Sequence, residues 1–234
     1  MENRLHKEEF PMAFHVHSDK PYFDLVIGDK TYSSWSMRAW LVAVQSGLPF
    51  KEICIKLDEK KTAAQIAKYT DSGKVPVLKQ GKRVIWDSLA IAEYLNELSP
   101  EAKLWPEDAG TRALARSYAA EMHSGFQNLR TNLSMDLKRT EPVKHLTEAT
   151  AYEIERILKM WKDALKVSQG PFLFGDFCIA DAFFAPVVFR FKHYGIKIND
   201  RMVKQYMKNI EEHHGVQFWV EDAKSEKAKP IEFK

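Results

Sequence analysis

Cysteine is nearly missing from this chain: its 234 residues hold two, Cys54 and Cys178. Two thiols so far apart give neither a disulfide framework nor a metal-ligand spacing, and the default compartment for such a chain is the reducing cytoplasm. Net charge is small as well, at +3, so nothing in the charge balance calls for a nucleic acid or a membrane surface as partner. No apolar run approaches the ~20 residues needed to cross a bilayer. The first 20 residues, MENRLHKEEFPMAFHVHSDK, have no continuous apolar core and so do not make a signal peptide. Residues 1–21 read as a flexible leader, in which His15 and His17 are solvated rather than bound to metal. What is present, 45% hydrophobic and 29% charged residues, is the composition of an ordinary globular protein, long enough for one large domain or two small ones.

The most informative stretch is GKVPVLKQGKRVIWDSLAIAEYLNEL, residues 73–98. Two short apolar runs, Val75-Pro76-Val77-Leu78 and Val84-Ile85-Trp86, flank a Gln80-Gly81 turn, which is a hairpin signature. Proline cannot donate to a ladder, so Pro76 belongs at a strand start, and the Val75–Pro76 bond is a candidate for the cis isomer. Val75 is then held extended, able to offer its N–H and C=O to a small peptide by strand-like pairing. Asp87 is a good N-cap for a helix whose apolar residues Leu89, Ala92, Leu95 and Leu98 recur every three positions. The free N–H groups of its first turn, with the Ser88 hydroxyl beside them, make a seat for a carboxylate.

Around this stretch, Phe23 to Ile27 is β-prone and ends at Gly28, Ala39 to Gln45 is helical and closed by Gly47, and Lys51 to Leu57 alternates as a strand. Asp58 to Tyr69 reads as a short helix. The order β-α-β-α-β-β-α over residues 22–98 is the thioredoxin-like arrangement. Residues 99–108, with Pro100 and Pro106, read as a linker. Residues 109–224 are helical throughout: a long segment from Ala109 to about Arg139, another from Val143 to Val167, an apolar central helix from Ile179 to Tyr194, and two shorter helices at about 200–213 and 216–223. Residues 225–234 read as a loose tail. The fold class is thus α/β plus all-α.

The loop after strand one, where thioredoxin-like folds keep their reactive group, contains Ser33-Ser34-Trp35-Ser36 and no cysteine, which leaves no dithiol for exchange. A serine at a helix N-terminus can donate a hydrogen bond to a sulfur and favour the thiolate. Lowering a thiol pKa from ~8.5 by two units takes ~2.7 kcal/mol, within reach of one charge-assisted hydrogen bond plus the helix end. Ser33 or Ser36 could equally just cap the helix, and both roles can hold together.

Val-Pro, strand, turn, strand, acidic residue-Ser and amphipathic helix together resemble the glutathione-binding half of the cytosolic glutathione transferases, and the resemblance extends from Tyr22 to Ala223. Ser33-Ser34-Trp35-Ser36-Met37-Arg38 is similar to the serine motif of the zeta class, with Trp35 where that class has cysteine. The resemblance implies glutathione as cosubstrate, Ser33 as the thiolate stabiliser with Ser34 as the alternative, and Ser34, Lys74, Val75, Pro76, Asp87 and Ser88 as glutathione contacts. It places Met122, His123, Phe126 and Arg130 beside the pocket for a small electrophile, although such a stripe is also what a plain core looks like. Arg38 reads as structural, paired with a carboxylate to tie the domains together. Gly175 to Asp181 matches the family's cap of the central helix except that Cys178 stands where a hydroxyl would accept the Asp181 amide. The thiol should cost ~1 kcal/mol of helix-end stability, which makes Cys178→Ser a stabilising substitution. The resemblance further implies a two-fold homodimer and no metal. The alternatives are an isomerase of the maleylacetoacetate type, which would need cationic groups for a dicarboxylate and against which Trp35 counts, and a non-catalytic binding or regulatory protein of the same fold.

Overall fold

The computed structural model describes residues 21–57 and 59–227. The expected leader before Pro21, with His15 and His17, and residues 228–234 of the expected tail lie outside them. β1 (Phe23–Gly28) is flanked by β2 (Phe50–Ile55) and β3 (Val77–Gln80), and β4 (Arg83–Trp86) forms the far edge, giving the order β2-β1-β3-β4. β1 and β2 run parallel from Phe23↔Phe50 to Gly28↔Ile55, and β3 is antiparallel to β1 and to β4. Alternation along β1 sorts its side chains onto two faces. Leu25 and Ile27 join the main core with α1 (Ser34–Gln45) and α3 (Ser88–Leu98), while Val26 packs with Ile55, Ile66 and Val77 beneath α2 (Thr62–Ile66). The element order is the expected β-α-β-α-β-β-α, and the Val75–Pro76 bond is cis. α2 is shorter than the expected Asp58–Tyr69 helix. Thr62 Oγ1 bonds the Lys56 carbonyl and receives the Glu59 amide, which holds the approach to α2 as a turn.

After the Pro100–Ala102 turn come α4 (Ala109–Ser124), α5 (Gln127–Asn132), α6 (Glu148–Ser168), α7 (Ile179–His193), α8 (Arg201–Glu212) and α9 (His214–Ser225). α7 is the buried axle: Phe183, Phe184, Val187, Val188 and Phe191 are inaccessible, and it packs on α1 and α4. Short polar side chains start several helices by accepting first-turn amides: Asp87 from Leu89 and Ala90, Asp108 from Thr111, Thr147 from Thr150, and Asp200 from Met202 and Val203.

One expectation is corrected here. The single helix from Ala109 to Arg139 is broken, because Gly125 is extended and Phe126 takes a left-handed conformation at φ 58°. Arg130 folds back onto the open end, donating to the carbonyls of Met122, His123 and Gly125. Cys178 stands at the start of α7 as expected, in a capping box with Asp181. Its amide donates to Asp181 Oδ2 at 3.0 Å, and its thiol also lies 3.3 Å from the same oxygen. Asp181 also accepts the Leu173 amide, and burial pushes its carboxyl up to about 6.

Candidate functional site

The serine loop is pinned before it reaches α1. Lys30, almost fully buried, meets Glu52 at 2.8 Å and Asp222 at 2.5 Å, and its ammonium lies 5.0 and 5.4 Å from the Trp40 and Trp219 rings. Glu226 accepts both the Lys30 and Thr31 amides and the Thr31 hydroxyl. So anchored, the loop delivers Ser33 as the N-cap of α1. The Ser33 hydroxyl accepts the Ser36 amide at 3.4 Å and donates to Ser36 Oγ at 2.7 Å, and Ser36 Oγ in turn receives the Gly28 amide. Ser34 Oγ accepts a hydrogen bond from Arg190 Nη2 at 3.1 Å. Capping and a place at the helix N-terminus therefore coexist in Ser33.

Two cavities of about 450 and 470 Å³ adjoin, with Trp35, Lys74 and Val75 in the walls of both. Ser33, Ser34, Arg130 and Arg190 line the first; Pro76, Trp86, Asp87, Ser88 and His123 line the second. The structure thus brings Ser33, Ser34, Lys74, Val75, Pro76, Asp87, Ser88, His123 and Arg130 onto one cleft. Met122 and Phe126 are buried and line neither cavity. The break at Gly125 removes Phe126 from the helical face on which spacing had grouped it.

Within the second cavity Asp87 sits at φ 76°, a left-handed conformation rarely held by residues other than glycine. One carboxylate oxygen caps α3 and the other lies 3.1 Å from His123 Nε2. Burial pushes the His123 pKa down, with Asp87 acting against it and Arg38 and Arg130 adding to it, so the neutral ring donates its Nε2 proton to Asp87. Ser88 is 1% exposed, and its hydroxyl has no hydrogen-bond partner among the described residues.

Arg38 is wholly buried and its partner is not a carboxylate. Its Nε donates to the Phe183 carbonyl at 2.9 Å, which ties α1 to α7, and its guanidinium lies 4.5 Å from the Trp35 ring centroid. Arg130 lies 4.4 Å from the same centroid. Arg190, Tyr32 and Met135 are cavity residues that the sequence reasoning passed over, and Trp35, weighed there only as a departure from the serine motif, stands in the wall of both cavities. For Arg190 a signal existed: a charge in the apolar run Phe189-Arg190-Phe191 of a buried helix needs a reason.

No helix among the described residues is long and apolar enough to cross a membrane. Residues 32–98 match the family model described as glutathione S-transferase, N-terminal domain. A probable maleylacetoacetate isomerase of Caenorhabditis elegans is 26% identical over 71% of this chain and 77% of its own length. Glutathione S-transferase 1 of Dianthus caryophyllus is 34% identical over 66% of this chain and 73% of its own. Among solved structures, a glutathione transferase homolog from Burkholderia with bound glutathione superposes with a TM-score of 0.70 at 27% identity, covering 88% of this chain and 100% of that one. With a cleft between a thioredoxin-like sheet and a helical half, and with relatives matched across most of both, this chain belongs to the glutathione S-transferase family.

Proposed function

We propose that the protein is a serine-type glutathione transferase that lowers the pKa of the glutathione thiol and directs the thiolate at an electrophilic carbon. Glutathione lies across the two adjoining cavities. Its cysteinyl backbone pairs with Val75 beside Pro76, its γ-glutamyl carboxylate sits on the first turn of α3 with the Ser88 hydroxyl, its ammonium faces Asp87, and Lys74 takes the glycyl carboxylate. The observation that carries this reading is the unpartnered, buried Ser88 hydroxyl at the start of α3, on the same cleft as the serine-capped start of α1.

Ser33 is assigned to the sulfur. If the hydrogen bond between Ser33 and Ser36 reverses, with Ser36 donating, the Ser33 proton is free for the thiolate while Ser33 Oγ stays a cap. Ser34 is the second reading, favoured by its bond from Arg190, which leaves its own proton to donate. Single alanine variants separate the two. Ser33→Ala should lower kcat/KM by about 100-fold, the scale of a lost donor to a developing charge, and Ser34→Ala by less than about tenfold; the reverse order moves the assignment to Ser34. A cytoplasmic two-fold homodimer is part of the same proposal, and sedimentation at micromolar concentration tests it.

A further inference from the structure

The serine loop turns once between β1 and α1, with the Tyr32 and Ser33 amides both donating to the Asp29 carbonyl at 3.2 and 2.9 Å. A single turn of this kind leaves its first amides, those of Lys30 and Thr31, without a partner inside it. The helical half supplies what the turn lacks. Glu226 Oε1 accepts the Lys30 amide at 2.7 Å, and Glu226 Oε2 accepts the Thr31 amide at 2.9 Å and the Thr31 hydroxyl at 2.8 Å. The carbonyls are taken as well, since Trp219 Nε1 donates to that of Lys30 and the Leu137 amide to that of Thr31. Glu226 is itself tied down, because Lys138 Nζ donates to its backbone carbonyl. Neither Glu226 nor Thr31 lines either cavity, whereas the next three residues, Tyr32, Ser33 and Ser34, line the first.

A carboxylate suits this place for a geometric reason. Two amides and a hydroxyl all donate toward it, and two acceptor oxygens meet them, whereas the amide group of a glutamine would turn a donor toward one of them. Charge-assisted bonds of this kind are roughly twice as strong as neutral ones, and they order the peptide groups immediately before Ser33. Misplacing a catalytic group by about 1 Å can cost on the order of 100-fold in rate. Lys30 has a different part: its side chain joins the two halves through Glu52 and Asp222 and leaves the turn's amides untouched. We propose that Glu226 is the positioning residue of the serine loop, its carboxylate capping the Lys30–Thr31 turn from outside and so setting the Ser33 hydroxyl for the bound thiolate, while the affinity for glutathione stays with Val75, Asp87 and Ser88. The inference rests on the serine-type reading for the chemistry that the loop serves, but not for the ordering of the loop by Glu226.

The test is the isosteric variant Glu226→Gln, with Asp222→Asn as a control that weakens the Lys30 pairing and leaves the turn's amides alone. Thiolate absorbance against pH should place the thiol of bound glutathione about one unit or more higher in Glu226→Gln than in wild type, with the Kd for glutathione changed by less than about twofold. The sign separates position from field, because removing an anion by its charge alone lowers a thiol pKa. A thiol pKa unchanged or lowered in Glu226→Gln, or raised equally by Asp222→Asn, would overturn the proposal while a low wild-type value leaves the glutathione reading standing. Hydrogen exchange on the free protein needs no glutathione. The amides from Lys30 to Ser34 should exchange at least about tenfold faster in Glu226→Gln, while those of β1 and the body of α1 keep their protection. Unchanged exchange in the loop, or loss of protection spread evenly over β1 and α1, would overturn the proposal. Failure of the wild-type protein to bind glutathione or to shift its thiol would instead overturn the glutathione reading, and the exchange contrast would still decide whether Glu226 orders the loop.

Discussion

Arg190 belongs to α7 by sequence and to the serine loop by contact, and this division marks how far single residues could be read. Ser33 and Asp87 were legible as helix caps because capping is local and depends on neighbours two or three positions away, and Ser88 was legible as the first residue of α3 for the same reason. Arg38 was legible as a structural tie, but its partner was not, since the Phe183 carbonyl lies 145 positions along the chain. His213 was not legible at all. It stacks on Phe177 with ring centroids 3.8 Å apart, and burial, aided by His214, lowers its pKa to about 4. Because its folded pKa lies below the ordinary ~6.5, the unfolded chain takes up a proton there first. The stability that neutral His213 contributes is complete above about pH 6.5 and is lost as pH falls toward 4. Urea titrations should therefore show His213→Phe losing less stability than wild type between pH 7 and pH 4, by on the order of 2 kcal/mol. Parallel pH profiles would contradict this.

Elements were read best where breakers and caps stand in the sequence itself. Proline before a strand, Gly81 in the turn and Asp87 at the helix start mark the hairpin and α3, and they fall just before β3, between β3 and β4, and at the N-cap of α3. The segment after Ala109 was misread because its apolar spacing continues through a real break. Met122, Phe126 and Arg130 keep a four-residue interval although the chain leaves the helix at Gly125. What ends α4 there is the return of Arg130 to its last carbonyls, a contact that periodicity does not encode. A Cβ at Gly125 would come within 2.9 Å of the Glu121 carbonyl oxygen, which is backbone and cannot swing away. Gly125→Ala should cost about 1–3 kcal/mol in chemical denaturation. Unchanged stability would show that the break is soft.

Across the whole molecule, the thioredoxin-like sheet and the helical half meet around α1. Its Trp40 packs on Trp219 of α9, its Arg38 reaches α7, and the loop before it is held by Asp222 and Glu226. The division into two kinds of structure was visible in the change of pattern near Ser99, but this junction was not, because it joins residues nearly 200 positions apart. Lys30 is its centre. Lys30→Met leaves Glu52 buried without its cation and should cost about 3–5 kcal/mol in chemical denaturation; a loss below about 1 kcal/mol would show that the junction is held by the tryptophans alone.

In the proposed function, the central act of the cleft is the stabilisation of a glutathione thiolate at the start of α1. The most direct measurement is the thiol pKa of bound glutathione, followed by thiolate absorbance against pH, in wild type and in Ser33→Ala. The account predicts a value about two units below the ~8.5 of a free thiol in wild type, returning most of the way to it in the variant. Glutathione bound with an unshifted thiol, or a lowered pKa that Ser33→Ala leaves in place, would contradict it.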